Sequence, residues 1–378
     1  MTAQRERIGQ PVDALDTPVL LVDAALLERN IEAMRALVLA APGRNSHAAV
    51  AYRPHTKSHK SPLIAKMQIA AGARGVCCAK LGEAEVMVAG GVPDIHITTA
   101  VVGRSKAERL MRLAAAARVS VVVDDTENVA ALAAAATAAG ITLDVLVEVD
   151  VGQARCGVQG VEQALAVTDA IGRSRALRFR GLQGYQGRLQ SIVELAARRT
   201  AVTEAMDKLT RVRDALESRG IACEVLTGGG TGSLPLDLEQ GVLNELQPGS
   251  YVFMDSTYRQ IDWTARAERT PFANALTVLA CVVSRPLAER AVLDVGWKAA
   301  SSDSGPPVLK SSGAAIEFAG DEHGIIHGAA AVARQVGAKV ELIPSHCDTT
   351  VNLHDAFHLV RNGVLEDVWP IAARGRSD

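Results

Sequence analysis

The segment VSVVVDDTENVAALAAAATAAGITLDVLVEVD (119–150) contains two short apolar runs separated by an alanine-rich stretch. The runs at 119–125 and 143–150 are rich in β-branched residues and nearly continuous in apolar character. This pattern is typical of parallel strands that are covered on both faces. The alanine-rich stretch between them predicts a helix. The segment therefore predicts a strand–helix–strand unit, the building block of α/β proteins.

The same alternation extends in both directions from this segment. Six further runs predict strands, at 49–57, 75–79, 94–99, 178–187, 223–230 and 247–255. Eight strands with helices between them, over about 200 residues, indicate a (β/α)8 barrel of the TIM type. A doubly wound open sheet is the alternative. We disfavour it because no G-x-G-x-x-G motif follows an early strand.

The pattern changes after Pro271, where predicted helices nearly vanish. Four runs predict antiparallel strands, at 275–286, 290–297, 339–348 and 357–369. Asn362-Gly363 within the last run predicts a hairpin turn. A further run at 17–23 fits either the barrel or this second domain. We therefore expect an α/β chain with an N-terminal barrel and a C-terminal antiparallel β domain.

Composition argues against several classes of function. The 378 residues carry a net charge of −2 and no basic stripe, which argues against a nucleic-acid partner. The N-terminus is polar, and no apolar run reaches the roughly 18 residues that span a bilayer. We expect a soluble, cytoplasmic protein without a membrane partner, whose six cysteines are reduced thiols.

Active residues of a (β/α)8 barrel lie at the carboxyl ends of its strands. Those positions hold a polar and glycine-rich set: 53–57, Arg155, Tyr185, 228–233 and 249–251. The run GGGTGS (228–233) is a candidate phosphate loop, because glycines let backbone N–H groups approach an anion. A flexible turn is the alternative, but the position after a late strand favours phosphate binding.

Lys57 is the candidate nucleophile. Most lysines are solvated surface groups. A lysine at a barrel mouth can be desolvated, however, and neighbouring cations such as Arg53 can lower its pKa. Lys60 is the alternative, and we prefer Lys57 because Lys60 falls on the loop that follows the strand end.

His346 and Asp348 are the candidate metal ligands. Their i, i+2 spacing in a predicted strand places both side chains on one face, and imidazole plus carboxylate suits a cation such as Mn²⁺. On spacing alone, an ordinary polar pair on a sheet face is the preferred interpretation. Cys347 would point the other way and pack inside. Two polar clusters, 321–323 and 354–355, suggest a wall of the same site.

Several motifs share a pattern with one enzyme family. They are RPHTKSHK (53–60), GVCCAKLGEAE (75–85), VEVDVGQARCGV (147–158), GLQGYQG (181–187), TGGGTGS (227–233), ELQPGSYVFMDS (245–256), SHCDTT (345–350) and NLHD (352–355). Together they resemble the D-threonine aldolases, which are alanine-racemase-like, fold-type III pyridoxal-phosphate enzymes related to D-serine dehydratases and 3-hydroxyaspartate aldolases. The resemblance implies a barrel at 24–265, a β domain formed by 1–23 and 266–378, and a homodimer with active sites near its interface.

The resemblance also implies roles for individual residues. Lys57 would form the Schiff base with pyridoxal 5'-phosphate, Arg155 would bind the phenolic oxygen of the cofactor, and Tyr185 would face its ring. The phosphate cradle would consist of Gly228, Gly229, Thr231, Ser250 and Tyr251. His346 and Asp348 would bind a divalent cation, with Mn²⁺ preferred and Mg²⁺ or Ca²⁺ as alternatives.

The implied reaction is the cleavage of a D-β-hydroxy-α-amino acid, such as D-threonine, to glycine and an aldehyde. D-serine dehydratases tend to carry Cys at the position of Asp348, which gives a zinc site, so Asp348 favours an aldolase. The alternatives are a 3-hydroxyaspartate aldolase, a dehydratase of D-serine or 3-hydroxyaspartate, a racemase, and a cofactor carrier on the same fold. Some aldolase relatives have His where this chain has Ser191, which leaves the proton-transfer group open.

Overall fold

The computed structural model describes residues 2–41, 50–264 and 270–378. The chain begins with helix α1 (Thr2–Arg5), strand β1 (Val19–Asp23) and helix α2 (Ala24–Ala40). Eight parallel strands follow: β2 (Ala51–Tyr52), β3 (Val76–Cys78), β4 (Asp94–Ile97), β5 (Arg118–Val123), β6 (Leu143–Val149), β7 (Leu177–Gly184), β8 (Val225–Gly228) and β9 (Glu245–Leu246). The helices between them are α3 (Pro62–Ala70), α4 (Leu81–Ala89), α5 (Arg104–Ala116), α6 (Thr126–Ala139), α7 (Val161–Gly172), α8 (Leu195–Glu217) and α9 (Leu234–Gln240).

The parallel strands close into a barrel. Their hydrogen-bonded order is β2-β9-β8-β7-β6-β5-β4-β3. The two ends of this order meet through a parallel bridge between His55 and Cys77, where the Cys77 N–H donates to the Pro54 carbonyl at 2.8 Å. All seven residues of β6 are buried, as expected for a strand with a packed interior on one face and helices on the other. The (β/α)8 barrel is therefore confirmed.

The first barrel strand is shorter than predicted, and the last prediction, at 247–255, is wrong because the strand lies just before it, at Glu245–Leu246. After β2 the chain turns into a 3-10 helix at Thr56–Ser58, and after β9 a second 3-10 helix forms at Ser250–Val252. Pro54 and Pro248 explain both endings, because proline has no N–H for the strand ladder. Position 49, where the first prediction began, lies outside the described residues.

A second, mostly antiparallel sheet follows the barrel. Its strands are β10 (Leu276–Leu287), β11 (Arg290–Leu293), β12 (Val308–Leu309), β13 (Glu317–Phe318), β14 (Gly324–His327), β15 (Lys339–Ile343), β16 (Ala356–Arg361) and β17 (Val364–Pro370), with short helices α10 (Ala329–Val332) and α11 (Cys347–Val351). The β16–β17 hairpin is confirmed, with positive φ at Asn362 (53°) and Gly363 (77°). The short strands β12, β13 and β14 were not predicted.

The predicted end of the strand at 339–348 is wrong. The run 339–348 forms β15 only as far as Ile343, and His346 is the N-cap of α11. Pro344 follows the strand directly and cannot continue its ladder. His346 and Asp348 therefore belong to the start of a helix and do not share a strand face.

Strand β1 belongs to the second sheet. It pairs antiparallel with β10 and parallel with β16. This pairing supports the domain division at 1–23, 24–265 and 266–378, which we propose, although residue 265 itself lies outside the described ranges. In those ranges, no helix combines the length and the apolar character needed to cross a membrane.

Gly181 in β7 has a conformation that only glycine adopts easily. Its φ is +142°, it lies at a register shift between β6 and β7, and a Cβ there would collide with the Val225 carbonyl of β8. We expect Gly181→Ala to destabilise the fold by about 2 kcal/mol or more and to lower the melting temperature. Gly172→Ala is the matched control, because Gly172 is the last residue of α7 and has open space where the new Cβ would lie. This variant should stabilise the fold by up to about 1 kcal/mol. Equal melting temperatures for both variants would contradict this account of the β7 backbone.

Candidate active site

The carboxyl end of the barrel holds a cavity that brings three predicted residues together. Lys57, Arg155 and Tyr185 line it, together with His55, Ala79, Thr98, Thr99, Gln183 and Gln247. The Arg155 guanidinium carbon lies 6.0 Å from the centre of the Tyr185 ring. A lysine, a guanidinium and an aromatic ring therefore face one space at the end where barrel enzymes place their chemistry.

Lys57 forms an ion pair with the second domain. Its Nζ lies 2.9 Å from Oδ2 of Asp348, and the Lys57 and Asp348 side chains are 39% and 11% exposed. The Asp348 carboxylate raises the pKa of the Lys57 amine above its ordinary value, and partial burial only weakens this effect. Without a cofactor, the amine is therefore a charged partner of Asp348.

The predicted effect of Arg53 on Lys57 is wrong. The Arg53 guanidinium lies at the opposite mouth of the barrel, 3.0 Å from Glu245 and 2.6 Å from Asp94. Asp94 and Glu245 are the first residues of β4 and β9, so this network lies at the amino ends of the strands. Arg53 therefore stabilises the closed barrel and does not lower the pKa of Lys57.

The His55 side chain is a neutral imidazole that is hydrogen-bonded to the backbone of Lys57. Its Nδ1 accepts a hydrogen bond from the Lys57 backbone N–H at 3.3 Å, and its Nε2 lies 3.1 Å from Oγ1 of Thr98. Because Nδ1 is the acceptor, Nε2 carries the ring proton and donates to Thr98. Burial lowers the pKa of His55 well below its ordinary value. The imidazole therefore fixes the backbone that presents Lys57.

The glycine-rich loop follows β8. Gly229 has a φ of 70°, and the Gly230 N–H donates to Ser233 Oγ at 3.0 Å. The Thr231 hydroxyl accepts the backbone N–H of Tyr251 at 3.0 Å, which joins this loop to the 3-10 helix that begins at Ser250. The structure thus brings Gly228, Gly229, Thr231 and Ser250 together. Glycine backbone and two hydroxyl-bearing residues at the barrel mouth fit a phosphate group.

The side chain of Tyr251 is not part of this loop. Its hydroxyl accepts a hydrogen bond from Gln68 at 2.9 Å, and its ring lies 5.4 Å from that of Phe272. Burial raises its pKa well above the ordinary value. Only the backbone of Tyr251 remains near the cradle predicted from the sequence.

Asp237 is a buried carboxyl group beside the glycine-rich loop. Ser233 donates to its Oδ2 at 2.5 Å. Burial raises the pKa of Asp237 to about 7, although the Ser233 hydrogen bond acts in the opposite direction. A carboxyl group whose pKa is raised by burial would oppose an anion in the loop less than an ordinary carboxylate does.

His346 and Asp348 lie close together at the start of α11. His346 Nε2 is 3.9 Å from Asp348 Oδ2. Two ligands at about 2.0–2.2 Å from one cation are at most about 4.4 Å apart, so the pair fits a shared cation. Although burial acts in the opposite direction, Lys57 and His346 hold the pKa of Asp348 well below its ordinary value. Cys347 between them is buried, as predicted.

The protein supplies few further metal ligands. In the described parts of the chain, no group of three or more His, Cys, Asp or Glu side chains is arranged to hold a metal ion. A cation at His346 and Asp348 would therefore complete its coordination with water and substrate. Such an open site is typical of catalytic metals.

The two other polar clusters form local contacts of their own. Lys298 lies 3.7 Å from Asp321 and 2.6 Å from Glu322 on the surface. His354 Nε2 lies 2.7 Å from the Ala299 carbonyl, and Asp355 pairs with Arg374. The hypothesis that these clusters form a wall of the active site stays a prediction.

Sequence reasoning missed several polar residues of the site, among them Gln183, Gln247 and Asp303. Gln183 and Gln247 are hydrogen-bonded to each other at 3.1 Å beneath the cavity. Both are polar residues at or after a strand end, a signal that could have identified them. Asp303 lies 2.7 Å from His346 Nδ1, but its loop, SSDSGPP (301–307), has no spacing that points to a site.

Comparison with known proteins agrees with this geometry. The family model of the alanine racemase N-terminal domain matches residues 22–257, and that of a putative serine dehydratase domain matches 275–360. The chain is 42% identical to the D-threonine aldolase of an Arthrobacter species, over 98% of this chain and 95% of that protein. It is 39% identical to the 3-hydroxy-D-aspartate aldolase of Paracoccus denitrificans, over 97% of this chain and 94% of that protein. The crystal structure of D-threonine aldolase from Filomicrobium marinum matches with a TM-score of 0.93 and 41% identity, covering 98% of this chain and 99% of that one.

These matches span both domains and nearly the full chain. The alanine-racemase-like family implies pyridoxal phosphate as the cofactor. Lys57 lines the cavity, and the glycine loop follows β8 at the carboxyl end of the same barrel. A lysine and a glycine-rich loop are groups that could hold such a cofactor. The chain belongs to the D-threonine aldolase family of lyases.

Proposed function

We propose that this chain is a divalent-metal-dependent aldolase that cleaves D-β-hydroxy-α-amino acids of the D-threonine type to glycine and an aldehyde. The observation that carries the proposal is the 2.9 Å contact between Lys57, the candidate cofactor lysine, and Asp348, the candidate metal ligand. The similar proteins named as D-threonine aldolases support this substrate class.

Pyridoxal phosphate, when bound, supplies the electron sink for the carbanion that remains after the Cα–Cβ bond breaks. Lys57 would hold the cofactor covalently, Arg155 would bind its phenolic oxygen, and Tyr185 would face its ring. The phosphate would be held by Gly228, Gly229, Thr231, Ser250 and the backbone of Tyr251. His55 donates a hydrogen bond from Nε2 to Thr98 and accepts one at Nδ1 from the Lys57 backbone N–H. These two bonds hold the Lys57 backbone in place.

His346 and Asp348 would hold the divalent cation, which would make the substrate β-hydroxyl more acidic. We propose Mn²⁺, with Mg²⁺ or Ca²⁺ as alternatives, because a carboxylate and an imidazole suit such cations better than a thiolate does. The amine of Lys57 must lose its proton, and with it its ion pair to Asp348, before it can act as a nucleophile.

A 3-hydroxyaspartate aldolase is the second candidate, because a protein with that activity is 39% identical over 97% of this chain. A dehydratase of D-serine or 3-hydroxyaspartate is less favoured, since Asp348 provides an oxygen ligand where a thiolate would favour zinc. A cofactor carrier is disfavoured because it would not need His346 and Asp348. We further propose a cytoplasmic homodimer with active sites near the subunit interface.

Lys57→Ala should abolish the absorbance band of the lysine-linked cofactor and nearly all glycine release from D-threonine. The reason is that the site then lacks the amine that holds the cofactor covalently. Lys60→Ala is the control, and it should keep the band and the activity. The test is a visible spectrum and a glycine assay of both variants. Full activity in Lys57→Ala, with loss in Lys60→Ala, would show that Lys60 is the nucleophile.

Arg155→Met should weaken cofactor binding and shift the absorbance spectrum. A guanidinium stays charged under ordinary conditions, so Arg155 would keep the phenolic oxygen of the cofactor ionised. The measurement is a cofactor titration followed by its spectrum. Arg188→Met, which removes a guanidinium from the 3-10 helix at Arg188–Ser191, is the control. Wild-type affinity and spectrum in Arg155→Met would exclude Arg155 from the cofactor site.

Removing the metal should stop aldol cleavage but leave the cofactor band, and added Mn²⁺ should restore cleavage. The reason is that the cation is assigned to the substrate hydroxyl and not to the cofactor. Asp348→Cys should bind zinc tightly, because a thiolate prefers zinc at about 2.3 Å. This variant should lose most Mn²⁺-dependent cleavage of D-threonine and gain some activity in the dehydration of D-serine.

The readouts for this metal prediction are metal content, glycine release and 2-oxo acid release. Wild-type protein that cleaves D-threonine at full rate in the presence of chelator would contradict the metal assignment. Full Mn²⁺-dependent activity in Asp348→Cys would do the same.

A further inference from the structure

We propose that Asp303 is a positioning residue for the metal site, because its carboxylate holds the imidazole of His346 with Nε2 directed toward the cation. This inference rests on the proposed function, since it assumes that His346 and Asp348 bind a divalent cation. Asp303 lies in the loop between β11 and β12 and was not predicted from the sequence.

The contacts of Asp303 define its orientation. Oδ2 lies 2.7 Å from His346 Nδ1. Oδ1 accepts hydrogen bonds from the hydroxyl groups of Ser301 at 2.6 Å and Thr349 at 2.8 Å. Three donors therefore converge on one carboxylate, which leaves it little freedom to turn away from His346.

The Asp303 contact determines which nitrogen of His346 can bind a metal. An ionised carboxylate can only accept hydrogen bonds, so His346 Nδ1 must carry a proton. In the neutral ring the free lone pair is then on Nε2, the atom that lies 3.9 Å from Asp348 Oδ2. Metal-ligating histidines commonly donate their other ring N–H to a carboxylate, which fixes the ring and increases its basicity as a ligand.

The Asp303 loop is also tied to the segment that carries both ligands. The Ser301 N–H donates to Thr350 Oγ1 at 3.2 Å, and the Ser345 hydroxyl donates to the Ser301 carbonyl at 3.4 Å. With the Asp303–Thr349 bond, these contacts hold the loop against residues 345–350. Asp303 thereby fixes His346 directly and the start of α11 through Thr349.

Asp303 should matter for metal binding more than for folding. Its side chain is 43% exposed and that of His346 is 29% exposed. Surface ion pairs contribute little to stability. Second-sphere partners of metal ligands, in contrast, typically change metal affinity or activity by about 10–100-fold when mutated.

The test uses the full chain loaded with pyridoxal phosphate. Free Mn²⁺ is measured by electron paramagnetic resonance during a Mn²⁺ titration of the wild type, Asp303→Ala and Asp303→Asn. We expect the affinity for Mn²⁺ to fall by about 10–100-fold in Asp303→Ala and by about 10-fold in Asp303→Asn, which keeps an uncharged acceptor of the same shape. The Mn²⁺ concentration that half-restores glycine release should rise in parallel, with the cofactor spectrum unchanged.

Asp321→Ala is the matched control. Asp321 is also an exposed carboxylate of the second domain, and its partner is Lys298 at 3.7 Å. Asp321→Ala removes the same charge as Asp303→Ala, but the carboxylate that it removes pairs with Lys298 and not with His346. The affinity of this control for Mn²⁺ should therefore equal that of the wild type.

The outcomes separate this inference from the proposed function. Wild-type affinity for Mn²⁺ in both Asp303 variants would overturn the role of Asp303, even if the protein cleaves D-threonine. If Asp303→Ala does not fold, the isosteric Asp303→Asn decides alone. A wild-type protein that binds no Mn²⁺ would refute the metal assignment and this inference with it.

Discussion

The ion pair between Lys57 and Asp348 joins the barrel to the second domain at 2.9 Å, and the candidate site depends on it. The Asp348 side chain is only 11% exposed. A buried charge without a partner is costly, so each group holds the other in its charged form. The site therefore exists only when α11 lies over the barrel mouth. Strand β15 leads directly into α11 and pairs with β10, so the second sheet sets this position.

The same charge balance connects structure and proposed function. A lysine that attacks a carbonyl must be unprotonated, and Asp348 then loses its partner. A divalent cation at His346 and Asp348 would compensate the carboxylate, and Asp303 gives His346 the tautomer that such a cation requires. In the proposed site, the Arg155 guanidinium would balance the negative charge of the cofactor, and the raised pKa of Asp237 would reduce the negative charge beside the phosphate. The charges around the cavity thus fit an anionic cofactor on one side and a cation on the other.

The sequence predicted the fold where local patterns dominate. The apolar runs of β5 and β6 and the Asn362-Gly363 turn are local signals, and the structure confirms them. Strand ends were less predictable, because Pro54 and Pro344 stop ladders that the apolar pattern alone would extend, and Pro248 lies inside the run that was predicted as the last barrel strand. The position of Lys57 at the barrel mouth was predictable because it follows a barrel strand. The contacts of Lys57 with Asp348 and of His346 with Asp303 could not be predicted, because tertiary packing alone brings these distant segments of the chain together.

The most direct test is product analysis with a panel of substrates. The protein loaded with pyridoxal phosphate and Mn²⁺ would be incubated with D- and L-threonine, D-phenylserine, D-3-hydroxyaspartate and D-serine, and both glycine and 2-oxo acids would be measured. The account predicts glycine and the matching aldehyde from D-threonine and D-phenylserine, with little product from the L-isomer. Release of 2-oxo acid and ammonia as the main products, or cleavage of L-threonine alone, would contradict it.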